Sequence, residues 1–179
     1  MKHTSRLLFA AYLVIGGAAC LAQALDAAAA TPGAVLSDKD RDFVKKAAIA
    51  GMAEVEQGKV AEQKAADAEV KKFASAMVSD HGKANDKLKS LAQSRGWELP
   101  AAVDNEAKST LESLKAKSGA EFDQAYADGT RKDHDQAVAM FQTASASADD
   151  AALRQFAKDT LPTLEHHKKM AHELKPVKR

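Results

Sequence analysis

The sequence predicts an all-α fold, a four-helix bundle, and three observations carry that prediction. Pro and Gly number 4 and 9 in 179 residues and are confined to a few places, while Ala, Lys, Glu and Gln fill the stretches between them, a composition that favours helix. Apolar residues recur at three- and four-residue spacing through long segments, each flanked by a capping residue or a glycine. Aromatics make up only 5%, so a single domain with a core of Ala, Leu, Val and a few Phe is expected.

Residues 1–24 read as a signal peptide. Lys2 and Arg6 supply a positive start, Leu7 to Ala19 an apolar run too short to span a bilayer comfortably, and Ala22, Gln23 and Ala24 a small-x-small cleavage pattern. A second cleavage point after Ala30 has the same chemistry. The expected location is periplasmic or secreted. Cys20, the one cysteine, would be discarded with this segment; lipid anchoring through it is the weaker reading, because Gly17 stands where a lipoprotein signal has Leu. Losing Lys2 and Arg6 takes 26 basic residues to 24 against 25 acidic ones, a net charge of −1. No basic field for nucleic acid is left, no remaining run is long enough to span a membrane, and no thiol remains for disulfides or metal. A homo-oligomer or an envelope protein is the partner class left open.

Residues 25–36, with Pro32 and Gly33, form a leader, and the bundle domain is expected over 37–174. Ser37 caps the first helix, Asp38 and Asp40 favour its dipole, and Phe43, Val44, Ala47, Ala48, Gly51, Met52, Val55 and Gly58 make its apolar arc to about Ala65. Glu54 turns into that arc and Glu56 away from it. Asp67 caps the second helix, which ends at Gly96 with a stripe of Val70, Phe73, Ala74, Met77, Ala84, Leu88, Leu91 and Ala92. A long connection follows, with Pro100, a short helix capped by Asp104 and carrying Leu111 and Leu114, and capping-box spacing from Ser118 to Glu121. Its length suits a crossover along the bundle, hence ferritin-like connectivity. The third long helix spans about Glu121 to Ser147, with Asp123 on its inner stripe. Asp149 or Asp150 caps the fourth, which should kink or divide at Pro162 and leave a polar tail at 175–179. On it His167 lies at the centre of the inner face, His166 at the edge and His172 outside.

Two stretches repeat one pattern. Phe73, Ala74, Met77, Asp80, His81, Ala84 and Leu88 are matched by Tyr126, Ala127, Thr130, Asp133, His134, Ala137 and Phe141, each 53 residues on (134 minus 81). Both histidines fall within apolar stripes, and a buried imidazole must find partners for its nitrogens. Glu54, His81, His134 and His167 each lie within roughly 8 Å of the midpoint of their helix, so four helices deliver them to one layer, with Asp80 and Asp133 close by. Three neutral imidazoles and a carboxylate suit one or two ions of iron, zinc, manganese or copper, with the aspartates as further ligands or as acceptors that orient the rings. The alternative is a metal-free polar layer in which the histidines bond Glu54, the aspartates or Tyr126, in a structural or interaction module. Met77 and Met170 flank the histidines, a spacing compatible with copper and equally with packing. No nucleophile elbow, phosphate loop or hydrolase triad occurs, so any enzyme would be a metal-dependent oxidoreductase.

The runs GMAEVEQGKVA at 51–61, FASAMVSDH at 73–81, FDQAY at 122–126, DH at 133–134 and TLPTLEHHKKMA at 160–171 resemble the bacterial family catalogued as domain of unknown function 4142. The resemblance covers nearly all of 37–174. It implies a secreted or periplasmic ferritin-like bundle, some members being labelled predicted outer-membrane proteins. It carries Glu54, Asp80, His81, Asp133, His134 and His167 over as candidate site residues. The Glu-x-x-His pairs of di-iron bundles do not occur in this sequence, which argues against ferroxidase chemistry.

Overall fold

A computed structural model describes residues 35–176; the expected signal peptide, Cys20, most of the expected leader and the end of the expected tail lie outside them. Five helices follow one another: α1 (Asp38–Lys64), α2 (Ala68–Arg95), the short α3 (Asn105–Lys115), α4 (Gly119–Ser147) and α5 (Ala151–Glu173). Among the described residues there is no strand, and no helix is long and apolar enough to cross a membrane.

The caps are mostly those the sequence predicts. Ser37, Asp67, Asp104 and Asp150 each accept a hydrogen bond from the first turn of α1, α2, α3 and α5. Gly96 closes α2 at φ 69°, where the Trp97 N–H reaches back 2.9 Å to the Ala92 carbonyl. Two expectations are corrected. The capping box at α4 does not form: Gly119 enters the helix at φ 56°, the Ser118 hydroxyl makes no capping bond, and Glu121 pairs with Lys117 instead. Nor does Pro162 divide α5, which continues from Ala151 to Glu173. Pro162 and Lys158 both lie on the exposed face, so the carbonyl that Pro162 leaves without a donor is turned to water.

α1 and α2 form one antiparallel hairpin, α4 and α5 a second, and α1 lies beside α4 as α2 lies beside α5. The long connection from α2 returns along the bundle, carrying α3 across the seam between α1 and α4. α4 therefore runs parallel to α2, the up-down-down-up order of ferritin-like bundles. Two buried aspartates join the hairpins. Asp40, near the start of α1, accepts the backbone N–H groups of Asp149 at 3.1 Å and Asp150 at 2.8 Å, in the α4–α5 turn. Asp123, near the start of α4, accepts those of Ala66 at 3.0 Å and Asp67 at 2.8 Å, in the α1–α2 turn. The two arrangements are related by 83 residues (123 minus 40, and 149 minus 66), and this spacing, not 53, relates equivalent positions of the fold. At 83 residues Phe43 maps to Tyr126, Ala61 to Ala144, Val70 to Leu153, Phe73 to Phe156 and Ala74 to Ala157, all of them buried.

The core is split. One apolar cluster, around Phe43, Leu88, Phe141 and Phe156, fills the end where α1 and α5 begin; another, around Phe73, Met77, Phe122 and Tyr126, fills the opposite end. Between them lies the polar layer. The inner face of α1 also differs from expectation: Met52 and Val55 are only half-buried, whereas Gln57 is buried. α1 and α2 approach closely at Gly58, where a Cβ would meet the Val78 side chain at 2.8 Å.

Each of these aspartates accepts from two turn N–H groups that would otherwise lack an acceptor, so Asp40→Ala and Asp123→Ala should each lower the unfolding free energy by about 2–3 kcal/mol. Asp38→Ala, on the exposed side of the same first turn, should change it by less than about 0.5 kcal/mol. Guanidinium denaturation of the three variants checks both figures.

Candidate metal centre

α2, α4 and α5 each place one histidine in the middle layer, where His81, His134 and His167 are 7%, 1% and 1% exposed. Their ring centroids stand 5.4, 5.3 and 5.6 Å apart, and one ring nitrogen of each lies within 4.8 Å of the others. Among the described residues this is the one group of three or more His, Cys, Asp or Glu side chains whose ligand atoms converge in this way. Three buried histidines so arranged could hold a metal ion.

Hydrogen bonds fix the tautomers. The Nδ1 of His134 lies 3.0 Å from the Thr130 carbonyl one turn earlier; a carbonyl only accepts, so Nδ1 carries the proton and Nε2 presents a lone pair. The Nε2 of His167 donates to Asp80 Oδ2 at 3.2 Å, leaving Nδ1 as its lone-pair nitrogen, buried and without a protein partner. The Nε2 atoms of His81 and His134 are 3.4 Å apart. That is close to the edge of a tetrahedron of nitrogens about 2.0–2.1 Å from a central ion.

Glu54 of α1 approaches from the other side, 5% exposed, with Oε1 3.8 Å from His134 Nδ1 and Oε2 buried without a partner. Asp80 is half-buried and held by Lys83 as well as His167. Asp133 is also half-buried and stands on the Glu54 side, where its charge bears on that carboxyl. Of the six residues singled out by sequence, three imidazoles therefore converge, Asp80 orients one of them, and Glu54 and Asp133 flank the set. Sequence reasoning passed over the Thr130 carbonyl. Its one signal is position, four residues before a helical histidine. The Tyr126 hydroxyl completes the layer, buried near Thr130 and Glu54 but without a hydrogen-bond partner.

Burial sets the charge state. It pushes His81 down to about 3, with His134 and His167 adding to the effect, and His134 down to about 4 against the pull of the Thr130 carbonyl. His167 is lowered by burial although Asp80 opposes it. Burial, then the Asp133 charge, pushes Glu54 up to about 8, and burial followed by Glu106 raises Asp133. Asp80 goes the other way: burial works against it, but the hydrogen bonds from Lys83 and His167 hold it below the usual range. At neutral pH the imidazoles are neutral, the form in which a histidine ligates a metal.

The signs are opposite for the two residue types. Depressed imidazoles give stability that is full above their unfolded value of 6.5 and is lost as pH falls towards 3–4. The raised Glu54 gives stability that is full below 4.5 and is lost as pH climbs to about 8. Metal-free protein should thus lose stability above pH 6.5 at up to about 1.4 kcal/mol per pH unit, through Glu54 alone. Denaturation curves of Glu54→Gln between pH 6.5 and 8 should be flat where the parent slopes.

Residues 24–174 match the family model described as domain of unknown function DUF4142. Among solved structures, a DUF305 fragment from Deinococcus radiodurans is similar in fold, with a TM-score of 0.68 at 9% identity, covering 78% of this chain and 97% of that one. No curated protein matches. With the helical order, the histidine layer and a match over most of its length, the chain belongs to the DUF4142 family.

Proposed function

We propose that this protein is an exported helical bundle that binds one transition-metal ion through His81, His134 and His167 and holds it in the cell envelope. The observation that carries the reading is the convergence of three neutral imidazoles whose other nitrogens are, for His134 and His167, already committed to Thr130 and Asp80. That is the outer support that metal-bound histidines need. A three-nitrogen set favours zinc or copper over manganese, which prefers oxygen. The ligand nitrogens already lie within 4.8 Å of one another, one pair at 3.4 Å. Export rests on the signal pattern of residues 1–24.

A second reading has one observation in its favour. The 3.4 Å contact between His81 and His134 also fits an N–H···N bond donated by His81, as a metal-free structural layer would have.

Elemental analysis of mature protein purified without chelator, beside the double variant His81→Ala, His134→Ala, separates the two. About one equivalent of metal in the parent and none in the variant is expected, and zinc or copper in hundredfold excess over its Kd should add about 2.7 kcal/mol of stability to the parent. Absence of metal, with no thermal shift from any of iron, zinc, manganese or copper, would establish the metal-free layer.

A further inference from the structure

A layer this deeply buried needs a route by which an ion arrives. A cavity of about 910 Å³ lies along the seam between α1 and α4, bordered by the first residues of α3, and its inner wall includes His81, His134 and Glu54. The seam is open here because α3 covers its other half, where Leu114 packs into the second apolar cluster. Carboxyl groups outnumber lysines six to three along the cavity wall. Towards the outside stand Glu106, exposed on α3, and Asp133, half-buried on α4; inside them is Glu54, with its Oε2 buried and unpartnered. Lys132, beside Asp133, is the opposing charge at this end, while Lys39 and Lys46 are paired with Asp149 and Asp42.

We propose that this cleft is the entry path for a divalent transition-metal ion, in which Glu106 and Asp133 attract the hydrated ion and Glu54 passes it to His134 and His81. The proposal rests on the metal reading above. The three carboxyls do not converge as a chelate, so they act in succession and hold the ion less firmly than the imidazoles do. A negatively lined cleft with low-dielectric walls concentrates cations and raises their rate of arrival without changing the final affinity. On the opposite side the Asp80 carboxylate is already engaged, accepting from His167 and from Lys83.

Gly129 offers a means of closing the cleft. It lines the cavity one turn before Asp133, and a Cβ built on it meets no atom within 4 Å. Gly129→Phe can therefore obstruct the route without clashing at its root, and a helix interior favours the exchange of glycine for a larger residue.

The test follows Co²⁺ uptake by metal-free mature protein through the visible absorption of the bound ion. The parent is compared with Gly129→Phe, with the Glu106→Gln, Asp133→Asn pair, and with a control pair, Asp86→Asn and Asp159→Asn, exposed carboxylates off the cleft. Uptake should slow about tenfold in both cleft variants, stay within about twofold of the parent in the control, and fall with added salt in the parent more steeply than in the Glu106→Gln, Asp133→Asn pair. The final Co²⁺ content of Gly129→Phe should equal that of the parent. Unchanged rates in both cleft variants, or equal slowing in the control, would overturn the path while leaving the site intact. A parent that takes up no Co²⁺ would overturn the path through failure of the metal reading itself.

Discussion

Two carboxylates hold the halves of this bundle in step. Asp40 and Asp123 each tie the start of one hairpin to the turn of the other, and both do so with paired bonds to backbone N–H groups. The middle layer depends on this alignment. Its four members come from four helices, and a slip of one helical turn between hairpins, about 5.4 Å, exceeds every spacing that brings the imidazole nitrogens together. Helix packing alone tolerates such slips in a core made of alanine and a few large residues. Fixed hydrogen-bond partners at both ends do not.

The layer itself survives burial because its members adopt their uncharged forms. Neutral imidazoles and a protonated Glu54 avoid the large penalty of desolvated ions, and what remains is a set of polar atoms only partly satisfied by one another. Glu54 Oε2, His167 Nδ1 and Tyr126 Oη are the buried side-chain atoms without partners among the described residues, and all belong to this layer. The two apolar clusters on either side carry the stability that such an arrangement spends.

The helices, their order and the inward turn of Glu54, His81, His134 and His167 were legible from periodicity, caps and one long connection. What escaped was of two kinds. Asp40 and Asp123 looked like a first-turn acid and a stripe residue, because their partners lie in a turn 109 and 57 residues away, and local pattern carries no information about that distance. The 53-residue match paired His81 with His134, which face each other across the bundle but are not equivalent. The true 83-residue correspondence was hidden because it sets Glu54, His81, His134 and His167 against Ala137, Leu164, Gly51 and Ala84. Those four counterparts all line the cavity, so the polar layer and the cleft occupy related places in the two halves.

The histidines are divided between the hairpins: His81 belongs to the first, His134 and His167 to the second. An ion held by all three would add a covalent-strength strap across a seam otherwise held by one crossover, shared apolar packing and a few hydrogen bonds and ion pairs. In many other proteins a disulfide does this work, but this chain's single cysteine is Cys20. Its hairpins would be clasped by coordination, and the clasp could be opened by a chelator where a disulfide would need a reductant.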